Sequence, residues 1–162
     1  MQVSIGILVT VAALAVLILL RTILDFYFAP WLVRRLHYIP SRWLWRQKWT
    51  SFVGKWDLLW EAGGSDDFTD PNRRRGLLTI WQFGPYCYGE FTTGGASYAM
   101  LARIKDSYLV GDWYAKADRH GYFGALQMIV QSERYLEGKW IGHSKKFVDV
   151  RADSISIKRN DR

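Results

Sequence analysis

The sequence predicts an all-β protein, an eight-stranded antiparallel up-and-down β-barrel preceded by an N-terminal transmembrane α-helix. Three observations predict it. Val3 to Leu20 is a run of eighteen residues without a charge, with Ser4 and Thr10 as its polar members. After Thr50 the chain changes to short apolar runs of period two, bounded by Gly, Asp, Asn and Ser. Gly-x-Trp occurs three times in that part, as Gly54-Lys55-Trp56, Gly111-Asp112-Trp113 and Gly138-Lys139-Trp140. Each glycine shares its tryptophan's face of the strand, where a missing side chain lets a strand bend and makes room for a large neighbour.

The first element, residues 1–21, reads as the membrane helix. Eighteen residues at ~1.5 Å each reach about 27 Å, close to the thickness of a hydrocarbon core. A cleaved signal peptide fits poorly, because no Lys or Arg precedes the run and Arg21 follows it without a small-residue cleavage site. The next segment, 22–50, is basic and aromatic. Arg21, Arg34, Arg35, Arg42, Arg46 and Lys48 stand against the single acid Asp25, so the positive-inside rule puts this side in the cytoplasm. The expectation is a single-pass protein, N-terminus out, with its barrel in the cytoplasm. Thr22 to Val33 holds Asp25 and Pro30 and is too short to cross again; it reads as an interfacial helix or an extension of the anchor. Pro40 marks a break before the soluble domain.

Residues 51–162 form that domain. The predicted strands are 52–61, 76–83, 86–93, 97–105, 108–117, 122–131, 135–144 and 154–160, joined by local turns that favour a closed barrel over an open sandwich. Parity assigns Phe52, Trp56, Leu58, Trp60, Leu78, Ile80, Gln82, Cys87, Phe91 and their counterparts on later strands to the interior, with Tyr98, Tyr122 and Arg159 pointing the same way. Lys55, Asp57, Glu90, Arg103, Lys105, Asp112, Lys139 and Lys158 fall on the outside. The domain holds sixteen basic and fourteen acidic residues. The strong positive charge is therefore mostly juxtamembrane, which suits anionic headgroups and gives no reason to expect duplex nucleic acid as a partner.

Up-and-down order also sorts the loops. The turns at Gly84-Pro85, Asp106-Ser107 and 132–134 lie at the end nearest the membrane. Loops 62–75, 94–96, 118–121 and 145–153 lie at the far end and carry Arg73, Arg74, Arg75, Arg119, His120, Lys145, Lys146 and Arg151. A mouth rimmed by cations over Trp and Tyr suits an anionic aromatic ligand. Asp66, Asp67, Asp70, Asp118, Asp149 and Asp153 share these loops, and a merely solvated surface accounts for them as well.

Catalysis finds no support. The chain has no phosphate-cradling glycine loop, no G-x-S-x-G and no H-E-x-x-H. His37, His120 and His143 lack metal-ligand spacing. The single Cys87 excludes an internal disulfide framework and a thiolate zinc site and reads as a small core residue. No enzyme activity, catalytic residue, metal or cofactor is expected. With 16% aromatics and four Pro, disorder is excluded.

The ordered series Gly76-x-Leu78-x-Ile80-x-Gln82-x-Gly84-x-x-Cys87-x-Gly89-x-Phe91, Tyr98-x-Met100-x-Ala102-x-Ile104, Leu109-x-Gly111-x-Trp113, Gly124-x-Leu126-x-Met128 and Leu136-x-Gly138-x-Trp140-x-Gly142, closed by Lys158-Arg159, resembles the transmembrane β-barrel effectors of bacterial cyclic-oligonucleotide anti-phage signalling (CBASS). The resemblance covers residues from about 76 to 160 and the order of anchor before barrel. It implies a cytoplasmic barrel that binds a cyclic nucleotide, with binding controlling homo-oligomerisation and disruption of the inner membrane in abortive infection. Family members often have two spans, whereas this chain has one. By the resemblance together with parity, Gln82, Tyr98 and Arg159 would line the pocket and Trp113, Tyr122 and Trp140 could stack bases; Arg73, Arg75 and Arg119, from the cation rim of the mouth, complete the expected ligand-binding set. A more distant similarity is to lipocalins, where a Gly-x-Trp on the first strand packs against a late Arg; Trp56 and Arg159 take those positions. Two other readings stay open: a membrane-tethered lipocalin-like carrier of an apolar ligand, and a structural barrel filled by its own side chains.

Overall fold

The fold is seen in a computed structural model, which describes residues 2–23, 28–39, 45, 49–61, 70–144 and 149–160. Ten regular elements and one short 3-10 turn make up this part. Helix α1 is Gln2–Ile23 and α2 is Ala29–Leu36. The strands are β1 Gly54–Trp60, β2 Arg75–Phe83, β3 Tyr86–Thr93, β4 Ala96–Lys105, β5 Tyr108–Ala115, β6 Tyr122–Ser132, β7 Tyr135–Ser144 and β8 Asp149–Arg159. They close in chain order into a barrel, each strand antiparallel to its neighbours and β8 returning to β1. Loop residues 62–69 and 145–148, with Lys145 and Lys146, lie outside the described residues, as do Pro40 and Arg42.

All eight predicted strands are present. The one large boundary difference is β8, which starts at Asp149 and not at 154. Asp149 to Asp153 mixes charges with Val and Ala, which hides the pattern. Pairing with β7 supplies the missing signal, from Ser144↔Asp149 to Tyr135↔Lys158.

Parity places the core as expected. Trp56, Leu78, Ile80, Met100, Leu109, Met128, Leu136 and Ile157 are buried along the interior. The glycines of the Gly-x-Trp repeats act somewhat differently from expectation. A Cβ on Gly111 would strike the backbone of Leu101 and Ala102, and one on Gly138 the backbone of Gln127 and Met128. Both therefore let adjacent strands approach closely. Room for a ring is made by a later glycine: the indole of Trp113 lies where Gly142 would carry its Cβ.

The barrel's plugged end is where the chain enters. Phe52 is fully buried there and Trp49 packs against the core. The seam between β1 and β8 pairs Trp56 with Arg159, and the guanidinium carbon sits 5.3 Å from the indole centroid. The Trp–Arg contact expected from the lipocalin likeness is thus present, and Arg159 Nη2 also donates to the carbonyl of Val53 at 2.6 Å.

The segment around α2 does more than the sequence indicates. Pro30 falls in the first turn of α2, where its missing N–H costs nothing. The helix lies on the outer wall over β2 and β3 and builds a second core of Val33, Phe83, Tyr88 and Ala99, joined by Leu36, Ile39 and Trp45. Val33 is only 3% exposed. Arg34 stacks over Trp81 at 5.0 Å and reaches Glu90 Oε1 at 3.4 Å. The Glu90 carboxylate also accepts from the Tyr88 hydroxyl at 2.7 Å and pairs with Lys116 at 3.2 Å. Burial would raise the pKa of Glu90, but the Tyr88 hydroxyl, Lys116 and Arg34 outweigh it and hold the group below the ordinary carboxylate value.

Helix α1 spans 22 residues. Its described large apolar side chains from Ile7 to Leu20 are 50–65% exposed. Among the described residues no helix is long and apolar enough to cross a membrane; the expected span includes Val3 to Ile5 and Leu8, whose side chains fall outside that set.

Two outcomes follow for α2. Burying a Val side chain is worth about 1.5–3 kcal/mol. Val33→Asp loses this and desolvates a carboxylate, so α2 should leave the wall at least about tenfold more often. Trypsin should then cut faster after Arg34 and Arg35, with the strand circular dichroism unchanged. The depressed Glu90 pKa stabilises the folded state fully above the ordinary carboxylate value, and this is lost as pH falls through the folded pKa. The difference in Tm between wild type and Glu90→Gln should be present near neutral pH and vanish on acidification.

Candidate functional site at the distal mouth

Five strands bring an aromatic side chain to the end of the barrel opposite the plug. Trp60 of β1 meets Trp140 of β7 at 5.6 Å between ring centroids. Trp140 meets Trp113 of β5 at 5.9 Å, and Trp113 meets Tyr98 of β4 at 6.0 Å. Tyr98 stacks on Phe91 of β3 at 5.2 Å. All five rings are partly exposed. They form a layer across the mouth because interior parity, the register Phe91↔Tyr98 and the glycines at 124 and 142 put large rings and gaps at one height.

The indole N–H groups of this layer are already engaged. Trp60 donates to Thr93 Oγ1 at 3.1 Å, Trp113 to the Ile141 carbonyl at 3.2 Å and Trp140 to the Glu61 carbonyl at 2.9 Å. The layer therefore offers π-faces and edges, not indole donors. Tyr98 supplies a hydroxyl whose pKa is raised by burial first and by nearby Tyr122 second, while Arg73 pulls it down. A guanidinium and two phenols thus share one side of the mouth. The Arg73 Nη2 also donates to the Gly94 carbonyl at 3.3 Å.

The predicted site residues divide into three groups. Tyr98, Trp113, Tyr122, Trp140 and Arg73 come together at the distal mouth. Gln82 and Arg159 lie at the plugged end. The Gln82 carboxamide is 8% exposed; its Oε1 accepts from Phe52 N at 2.8 Å, and its Nε2 donates to the carbonyls of Thr50 at 2.9 Å and Gly84 at 3.0 Å. It ties the chain's lead-in to the first hairpin. Arg75 and Arg119 turn outward. Arg75 has exterior parity on β2, and Arg119 lies over the outer face of Tyr114 at 4.0 Å.

Two residues that sequence reasoning left out of the site join the mouth: Trp60 and Phe91 had interior parity but no place in it. Arg151 and Asp153, which the sequence puts in the distal loop 145–153, lie on β8 and alternate in register with buried Ile155 and Ile157, opposite Gly142 and Trp140. Extending the parity of β8 upstream would have placed both on a strand. Below the ring layer the interior is occupied by Leu78, Met100, Leu126 and Met128. A shallow depression of about 210 Å³ on the outer wall, lined by Leu77, Thr79, Trp81, Glu90, Thr92 and Lys116 among others, borders α2.

Other chemistry is sparse. Among the described residues no group of three or more His, Cys, Asp and Glu could hold a metal ion. Cys87 is fully buried and its thiol pKa is pushed well up by desolvation, which suits packing and not nucleophilic attack. Comparison with protein-family models, curated proteins and solved structures finds no match for this chain.

Gln82→Leu tests the plug. It leaves a buried N–H and two carbonyls without their partner, at a cost of about 1–3 kcal/mol for each group left unsatisfied. The denaturant midpoint should fall clearly, while a Tyr98→Phe control at the mouth should leave it almost unchanged.

Proposed function

We propose that this chain is a membrane-anchored anti-phage effector whose cytoplasmic barrel binds a cyclic nucleotide at the distal mouth, with binding controlling self-association and the integrity of the bacterial inner membrane. The observation that carries the reading is the layer of Trp60, Phe91, Tyr98, Trp113 and Trp140, partly exposed and flanked by Arg73. Aromatic faces stack any base, and a guanidinium beside them pairs with phosphate. The motif series of β2 to β8 adds the family likeness.

The anchor in this reading is α1. Its 22 residues reach about 33 Å at the helical rise, and the uncharged run from Val3 to Leu20 and its bare apolar flanks favour lipid as their surroundings. The cations after Arg21 favour the cytoplasm for everything that follows. For the nucleotide to control assembly it must bind one assembly state more tightly than the other.

The packed interior favours a second reading, a structural barrel without a ligand. The same packing takes support from an apolar carrier, because Met100, Met128 and their neighbours occupy the volume a lipid would need.

One titration separates these readings. Full-length protein in nanodiscs is titrated with cyclic di- and trinucleotides, followed by tryptophan fluorescence and by size on a column. One member should bind and change the oligomeric state. Trp113→Ala with Trp140→Ala should weaken that binding by at least about tenfold, the scale of one lost base stack. Folded protein that binds no member of the panel would leave the structural barrel as the better reading.

A further inference from the structure

The plugged end of the barrel carries a surface of its own. Tyr86, Tyr108 and Tyr135 are the first residues of β3, β5 and β7, each directly after a turn at this end. Their parity is exterior, and they are 40%, 40% and 37% exposed. Cations stand beside them. Arg103 pairs in register with Tyr86 and lies 5.5 Å from its ring centroid. Lys105 is opposite Tyr108, and Lys158 is opposite Tyr135, whose hydroxyl turns to Glu137 at 2.9 Å.

The charge is unevenly placed. Near this rim Lys55, Arg103, Lys105, Arg134, Lys158 and Arg159 outnumber the carboxylates Asp57, Asp106, Glu133 and Glu137. At the distal end the described cations and carboxylates nearly balance. A domain that is almost neutral by composition therefore presents a positive face at one end. That end cannot serve as a ligand mouth, because Phe52 and Gln82 close it. It is also the end at which the chain arrives from the N-terminal helices, through Thr50 and the Gln82 hydrogen bond.

We propose that this plugged rim is a seat for an anionic membrane surface, its tyrosines at headgroup level and Arg103, Lys105, Arg134 and Lys158 over the lipid phosphates. Amphipathic phenol rings and long cationic side chains both favour that depth, and each Lys or Arg near an anionic surface adds attraction that salt screens. The inference rests on the anchoring reading above, which supplies the membrane but not the orientation. A seated rim fixes the barrel axis upright and turns the aromatic mouth to the cytoplasm.

The test uses full-length protein with one introduced cysteine, since native Cys87 is fully buried. Ser107→Cys lies in an exposed turn at the rim and His120→Cys in an exposed loop at the mouth. Each carries an environment-sensitive fluorophore, and quenching by headgroup-labelled lipid is read on phosphatidylcholine vesicles with and without phosphatidylglycerol. The Ser107 probe should be quenched several-fold more than the His120 probe. The difference should grow with phosphatidylglycerol, shrink with salt, and be lost in K105E/R134E/K158E. Equal quenching of the two probes on anionic vesicles overturns the seat. Flotation on the same vesicles separates the two readings: a chain that floats with an unquenched Ser107 probe overturns the seat alone, and a chain that does not float overturns the anchor as well.

Discussion

Closure of the sheet is the constraint on which everything else in this molecule depends. Eight strands make a cylinder whose interior is just filled by side chains, so once β8 pairs with β1 each inward residue must match the space left by its neighbours. The seam is secured where Trp56 and Arg159 pair: the guanidinium covers the indole and reaches the Val53 carbonyl. Gln82 does the equivalent work one strand away, binding the lead-in chain with both ends of its carboxamide. Both polar groups are buried or half-buried at the end that the chain must enter, where backbone groups would otherwise lose water without gaining a partner. Their interior parity is a structural necessity of closure as much as a sign of a ligand.

Filling the middle forces the two ends apart in character. Large rings cannot all pack at the waist, so Trp60, Trp113 and Trp140 collect at the distal end over glycines 124 and 142. Small aliphatic and Met side chains occupy the waist. What is left for function is the top of the ring layer, the outer wall, and the outer edge of the plugged rim.

Much of this was legible in the sequence, for a definite reason. Period-two alternation reports the face of each strand directly, so Leu109, Leu126, Leu136 and Ile157 could be placed inside and Lys105, Lys139 and Lys158 outside before any coordinates. The order of loops likewise follows from up-and-down topology. What parity cannot report is height along the barrel axis. Gln82, Tyr98 and Arg159 share a face, yet the first and third lie a barrel's length from the second, because register and strand stagger set height. Arg75 and Arg119 show the same limit for loops: a cation near a mouth can as easily turn onto the outer wall, as Arg119 does over Tyr114. The docking of α2 was hidden for another reason. Its apolar face is only Val33, Leu36 and their neighbours beside Arg34 and Arg35, a pattern equally suited to a lipid interface, and only the partner surface of Phe83, Tyr88 and Ala99 decides between them.

The packed waist also restricts how one end could influence the other. Met100, Met128 and Leu78 fill the interior, so coupling between the mouth and the N-terminal helices has to run through the wall or through movement of the whole barrel. The wall offers a short path. Lys116 directly follows β5 and opens the loop that reaches Asp118 and Arg119 at the mouth; its ammonium meets Glu90 on β3, and Glu90 holds Arg34 of α2. Three partners on one carboxylate make its occupancy sensitive to any displacement of one of them, since moving Lys116 changes the field that keeps Glu90 ionised and Arg34 in place. These surface pairs are individually weak, and α2 stays docked mainly through Val33. A displacement at the mouth would then bias the helix without releasing it, a modest coupling of the size that paired binding sites in proteins commonly show.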